Sequence, residues 1–188
     1  GIAIGTVVLP SLSKYINSKN NTKIDFIQNK SLELSLFLSL PASIALLVAP
    51  DEIISALFGY GQFNESSVSN SAKALYYFSF GLPAFAMIKV FSNFFFANQD
   101  TKTPFYLSLI SVLLNLFISI YYFKSIGFVI IPIATTISSW INLILLFLFL
   151  KKRNLFSFNK IFINRFFKIL LSSILMGLFF SYMIILFN

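Results

Sequence analysis

Residues 127–150 read GFVIIPIATTISSWINLILLFLFL, 24 positions without a charged side chain. A hydrocarbon core about 30 Å thick is crossed by roughly 20 such residues in an α-helix. Inside lipid the backbone must satisfy its own hydrogen bonds, which leaves only helices and closed barrels. Positions 143–150 are apolar without a break and lack the period-2 alternation of a barrel strand. The stretch therefore reads as a transmembrane helix. Four further runs of that kind lie at about 32–50, 74–97, 104–123 and 166–187, and residues 1–12 read as the second half of a sixth. The start without methionine, with an apolar run already under way, reads as a fragment boundary. The expected fold class is all-α: a polytopic transmembrane helical bundle, one membrane domain over 1–188.

Composition agrees. Of 188 residues, 57% are hydrophobic and 11% charged, with mean hydropathy +0.85, whereas a soluble domain carries about 25% charged residues. An ordinary water-soluble enzyme is excluded. The chain has no cysteine and no histidine, which removes disulfides, thiol chemistry, Cys/His zinc sites and histidine triads. The six acids, Asp25, Glu33, Asp51, Glu52, Glu65 and Asp100, are scattered. None forms the close pair that general acid–base work requires, and no P-loop or Gly-x-Ser-x-Gly turn is present. Neither an enzyme nor a metal or organic cofactor is expected.

The net charge of +8 suggests nucleic acid only if the basic residues share a soluble face. They lie instead between apolar runs. With the connections alternating sides, one side receives Lys14, Lys19, Lys23, Lys30, Lys102, Lys151, Lys152, Arg153, Lys160, Arg165 and Lys168, eleven of the 14 basic residues. The other receives Lys73 and Lys124. Such asymmetry marks the richer side as cytoplasmic and puts Asn188 outside. Anionic lipid headgroups are the partners this pattern attracts; nucleic acid is not.

Local signals fill in the map. Asn64 follows the Gly59–Gly61 turn as an N-cap for the next helix, and Pro104 suits a first helical position. Pro10, Pro41, Pro83 and Pro132 fall within apolar runs, as packing features or as bending points of a transport cycle. A charge at membrane depth costs about 2.5–3.5 kcal/mol on insertion scales, so Lys89, within the 74–97 run, draws notice. It reads either as a snorkelling anchor or as a cation lining a cavity. Lys14, after Leu9-Pro10-Ser11-Leu12-Ser13, reads as a positive-inside anchor or as an anion contact at a cavity mouth. Glu33 has Lys30 three residues back as a local partner. Asn115, Ser119, Thr135, Thr136, Ser138, Ser139 and Asn142 are polar groups that membrane helices use to join one another.

Four stretches, in order, carry a resemblance: Gly1 to Lys14 (GIAIGTVVLPSLSK), Leu40 to Leu46 (LPASIAL), Leu57 to Phe63 (LFGYGQF), and Gly81 to Val90 (GLPAFAMIKV) leading to Gln99 to Pro104 (QDTKTP). The chain resembles the MurJ/MviN lipid II flippases of the multidrug/oligosaccharidyl-lipid/polysaccharide (MOP) exporter superfamily, most closely over residues 1–104.

The resemblance implies a two-lobed, MATE-like (MOP) transporter of fourteen helices, of which this chain is about half. It would run from the end of the eighth helix through the thirteenth, with the N-terminal lobe of the same chain missing. The implied activity is translocation of the lipid-linked peptidoglycan precursor across the bacterial inner membrane by alternating access, for cell-wall synthesis. The family's cavity-facing basic residue, typically arginine, falls on Lys14, which keeps the charge and loses the bidentate fork; Lys14 and Lys89 are the expected substrate-binding residues. Sodium or membrane-potential coupling is implied in the same way. A sodium site described in relatives falls on Asn115 and Thr135, with Ser119 at the acid's position. The alternative within the class is another MOP-type exporter of lipid-linked oligosaccharide or drugs. Outside it stand a membrane glycosyltransferase, which would need acids clustered in an outer loop, and a non-transporting scaffold.

Overall fold

A computed structural model describes residues 2–18, 20–61 and 64–187. Gly1, Lys19, Gln62, Phe63 and Asn188 lie outside the described residues, and with them one member of the basic cluster, the end of the LFGYGQF turn and the placement of Asn188. The described residues form helices and turns, with no strand among them. The helices are α1 (Ile2–Asn17), α2 (Asn21–Val48), α3 (Pro50–Phe58), α4 (Glu65–Ala97), α5 (Lys102–Ile126), α6 (Ile130–Lys152) and α7 (Lys160–Phe187), with a 3₁₀ turn, Gly127–Val129, between α5 and α6.

The helices outrun the apolar segments that announce them. The run at 32–50 belongs to a helix that starts at Asn21, because Asn20 accepts the Lys23 N–H at 3.2 Å and caps three polar turns ahead of the hydrocarbon stretch. It stops at Val48. Pro50 does not close this span but opens the separate helix α3 as its first residue, where its missing N–H is no loss. Asn64 caps α4 as expected, accepting the Ser67 N–H at 2.9 Å. Pro104 stands third in α5, still within the turn whose N–H groups lack helical partners. Gly127 does not begin a span. It ends α5 at φ +75°, a left-handed backbone that glycine adopts without a Cβ penalty.

Four segments are long and apolar enough to cross a membrane: Asn21–Val48, Glu65–Ala97, Lys102–Lys152 and Lys160–Leu186. The third folds back on itself. Asn115 meets Thr135 and Ser108 meets Asn142, so α5 and α6 are antiparallel arms of a hairpin. The protein is a multi-pass membrane protein.

Packing arranges the helices in the order α7, α2, α4, α6, α5, with α1 laid against α2 and α4 and α3 against α4. Val8 and Leu12 of α1, Leu32 and Leu36 of α2, Val90, Phe91, Phe94 and Phe95 of α4, and Leu143, Leu146 and Leu150 of α6 make one buried core. Gly81 lets α4 approach α6: a Cβ there would sit 3.0 Å from the Thr136 hydroxyl, which donates to the Tyr77 carbonyl at 2.8 Å. The α2–α7 pair is parallel, since Glu33 meets Arg165 and Ile44 meets Gly177. Most large side chains of α5 and α7 remain uncovered, as suits surfaces facing lipid.

Candidate functional site

The α1–α2 turn, the α4–α5 turn and the α6–α7 loop gather at one end, where Ile16, Asn21, Asn98 and Asn154 line a common pocket of about 630 Å³. The basic residues of that end are the ones the loop pattern had grouped. Several are tied down. Arg153 pairs with Asp100 and donates to the Thr103 hydroxyl at 3.0 Å, while Asp100 also accepts the Thr103 N–H at 3.0 Å. Burial pushes the Asp100 carboxyl up, but the Thr103 hydroxyl and N–H and the Arg153 guanidinium outweigh it and hold the group below the ordinary carboxylate value. Glu33 meets its expected partner Lys30 at 2.9 Å and, in addition, Arg165 of α7 at 2.7 Å.

The α6–α7 loop is fastened by amides of α2. Gln28 donates to the Leu155 carbonyl at 2.9 Å, Asn29 to the Ser157 carbonyl at 3.0 Å, and Asn29 accepts the Asn159 N–H at 3.2 Å. Asn159 in turn caps α7 by accepting the Phe162 N–H at 2.6 Å. Phe156 enters the core against Phe91 and Phe94, with ring centroids 5.6 Å away in each case. Part of the phenylalanine excess, silent in the sequence, thus forms a chain of ring contacts at this end.

Lys14 stands in the last turn of α1, exposed, without an ion pair among the described residues. Lys89 is exposed too. It lines a groove of about 490 Å³ between α2 and α4, with Ser35, Ser39 and an otherwise apolar wall. The two lysines do not share that groove; Lys14 lies nearer the polar end.

Asn115 and Thr135 do come together, where a third pocket of about 260 Å³ opens in the α5–α6 hairpin. The Asn115 amide donates to the Thr135 hydroxyl at 2.9 Å and to Ser138 at 3.4 Å, Ser119 donates to the Asn115 carbonyl at 3.4 Å, and Thr135 donates to the Ile131 carbonyl at 2.8 Å. Asn115 and Ser119 spend donors on the other side chains of the cluster, an N–H points at the oxygen a cation would need, and no carboxylate lines the pocket among the described residues. The described residues give a sodium ion here no countercharge. The residues present do not fit one.

Against known proteins, the family model "Lipid II flippase MurJ" matches residues 1–188. The chain belongs to the MurJ lipid II flippase family. Among its MurJ relatives, a "Probable lipid II flippase MurJ" of Rhizobium meliloti (strain 1021) is 40% identical over 147 residues, 78% of this chain and 28% of the relative. Another, of Rhizobium tropici, is 36% identical over 177 residues, 94% of this chain and 33% of the relative. The solved "Lipid II flippase MurJ, inward closed conformation" superposes with a TM-score of 0.77 at 27% identity, covering 93% of this chain and 35% of that one. The chain thus spans about a third of the length of the MurJ proteins it matches.

Sequence reading missed the polar seam between α2 and α4. The signal was present: Ser31, Ser35, Ser39 and Ser43 recur every four residues, one stripe of a helix.

Proposed function

We propose that these residues form part of a flippase that carries the lipid-linked peptidoglycan precursor across the bacterial inner membrane, without making or breaking a covalent bond. Agreement with one family over all 188 residues is the observation that carries this reading. The precursor's diphosphate and sugars cannot cross hydrocarbon unaided. An ammonium at Lys14, without an ion-pair partner among the described residues, supplies a charge-assisted contact for the diphosphate, with the rest of the cavity contributed by the additional length that relatives possess. Rocking of one lobe against the other would open the cavity to each side in turn. The lysine-rich end faces the cytoplasm in this reading, following the positive-inside rule.

Because the α5–α6 pocket lacks an acid, membrane potential is the drive these residues favour. Each negative charge leaving an inside-negative cell gains about 2.3 kcal/mol per 100 mV.

Complementation tests the reading. In cells depleted of their lipid II flippase, the full-length protein should restore growth, Lys14→Arg should keep that ability, and Lys14→Ala should reduce it. Failure of the full-length protein to restore growth and precursor export would overturn the assignment, and unimpaired Lys14→Ala cells would remove Lys14 from the mechanism.

A further inference from the structure

Along α2, Ser31, Ser35, Ser39 and Ser43 are all buried. Ser31 bonds back to the Ile27 carbonyl at 2.6 Å and Ser43 reaches across to the Ser79 carbonyl of α4 at 2.6 Å. Ser35 and Ser39, between them, do neither. Their hydroxyl oxygens are buried without a partner, and so is the amide nitrogen of Asn93 on the facing helix. An unpaired buried polar group costs about 1–3 kcal/mol, and α2 and α4 together carry three of them here. Asn93 lies one turn beyond Lys89, whose ammonium also has no ion-pair partner among the described residues, and Lys89, Ser35 and Ser39 border the same groove.

The chemistry of the four groups coincides. Lysine ammonium and amide NH₂ are donors only, and a hydroxyl can donate. A ligand that satisfies all of them must offer several acceptor oxygens and negative charge, as a phosphate does. The remaining wall, including Leu38, Leu82 and Phe85, is hydrocarbon, and a groove of about 490 Å³ has room for chain beside the head. Serine hydroxyls move between staggered rotamers, so Ser35 and Ser39 can turn toward such a group.

Depth adds to the case. Ile16 and Asn98 line one pocket, so the ends of α1 and α4 are level. Lys14 is two residues before Ile16 and Lys89 nine before Asn98, which at 1.5 Å per residue sets Lys89 roughly 10 Å deeper.

We infer that the α2–α4 groove is a second, deeper station for the phosphate groups of a polyprenyl-linked substrate, with Lys89 as the cation, Ser35 and Ser39 as hydrogen-bond donors, and Asn93 one turn beyond Lys89 as a further donor beside the groove. This rests on the flippase reading above. An anionic head that leaves Lys14 meets Lys89 before it has lost the positive field.

The test uses the full-length protein in nanodiscs and measures binding of a polyprenyl diphosphate, of phosphatidylglycerol and of inorganic pyrophosphate. Lys89→Gln should weaken polyprenyl diphosphate binding about tenfold, equivalent to roughly 1.4 kcal/mol, while Lys89→Arg stays near wild type. The Ser35→Ala/Ser39→Ala pair should also bind more weakly. It should melt no lower than wild type, because it removes unpaired groups, and this arm holds even if Lys89→Gln does not fold. Inorganic pyrophosphate should bind far more weakly than the lipid. Equal, Lys89-dependent binding of phosphatidylglycerol would assign the groove to ambient phospholipid and overturn the proposal. Undiminished polyprenyl diphosphate binding by Lys89→Gln and the serine pair would overturn the station and leave the flippase reading standing. A wild-type protein that neither binds polyprenyl diphosphate nor restores growth would overturn both.

Discussion

Ser119, which touches the α5–α6 pocket through Asn115, illustrates how one side chain beside a pocket bears on what it accepts. Its hydroxyl donates to Asn115 within a cluster that also includes Thr135 and Ser138, so the pocket is neutral and largely occupied with itself. A carboxylate at this position would supply the missing charge and an acceptor-only group. Full-length Ser119→Asp should therefore gain a melting temperature that is higher in sodium chloride than in choline chloride, because a ligand that binds only the folded state stabilises it. The wild-type protein should melt alike in both; a sodium-specific rise there would refute the neutral-pocket reading. The polar residues of α5 and α6 were legible because amides and hydroxyls in hydrocarbon need partners, and Asn115 found Thr135. Ser35 and Ser39 were not, since a lone serine in an apolar run reads as neutral until its stripe and its empty bonding capacity are seen together.

At the level of elements, hydropathy reports the solvent around a helix and not the helix itself. It located the apolar core of α2 but not its polar first turns, where Gln28 and Asn29 clasp the α6–α7 loop. Which helices touch was less legible still, because Glu33 and Arg165 are far apart in sequence and adjacent only through topology. The same pairing leaves α7 with a single close neighbour, α2, among the described helices. Gly177 sits at the crossing, and a Cβ on it would fall 2.3 Å from the Ile44 Cγ2 methyl. Isoleucine is stiff at χ1, so relief requires the helices to part. Gly177→Ala should cost about 1–3 kcal/mol, as overpacking does, read as a lowered melting temperature in detergent. An unchanged value would mean that Ile44 yields freely.

Across the whole molecule, the segments bearing most of the positive charge meet at one end of the bundle, joined by Asp100–Arg153 and by Glu33–Arg165, while Lys73, in the early turns of α4, and Lys124, in the last turn of α5, lie toward the other. The 188 residues contain no cysteine, so single replacements here, in a background otherwise free of cysteine, report sidedness directly. Ser157→Cys should react with an impermeant thiol reagent only from the cytoplasmic face and Ser66→Cys only from the opposite face; labelling of both from one side would refute the arrangement. The parallel α2–α7 pairing also has a consequence for biosynthesis. Glu33 leaves the ribosome 132 residues before Arg165, roughly 10 seconds earlier at ordinary translation speeds. Of the two cations that Glu33 pairs with in the folded chain, Lys30, one turn away, is already present throughout that interval. The local pair can therefore form first, and the Arg165 contact follows once α7 has been made.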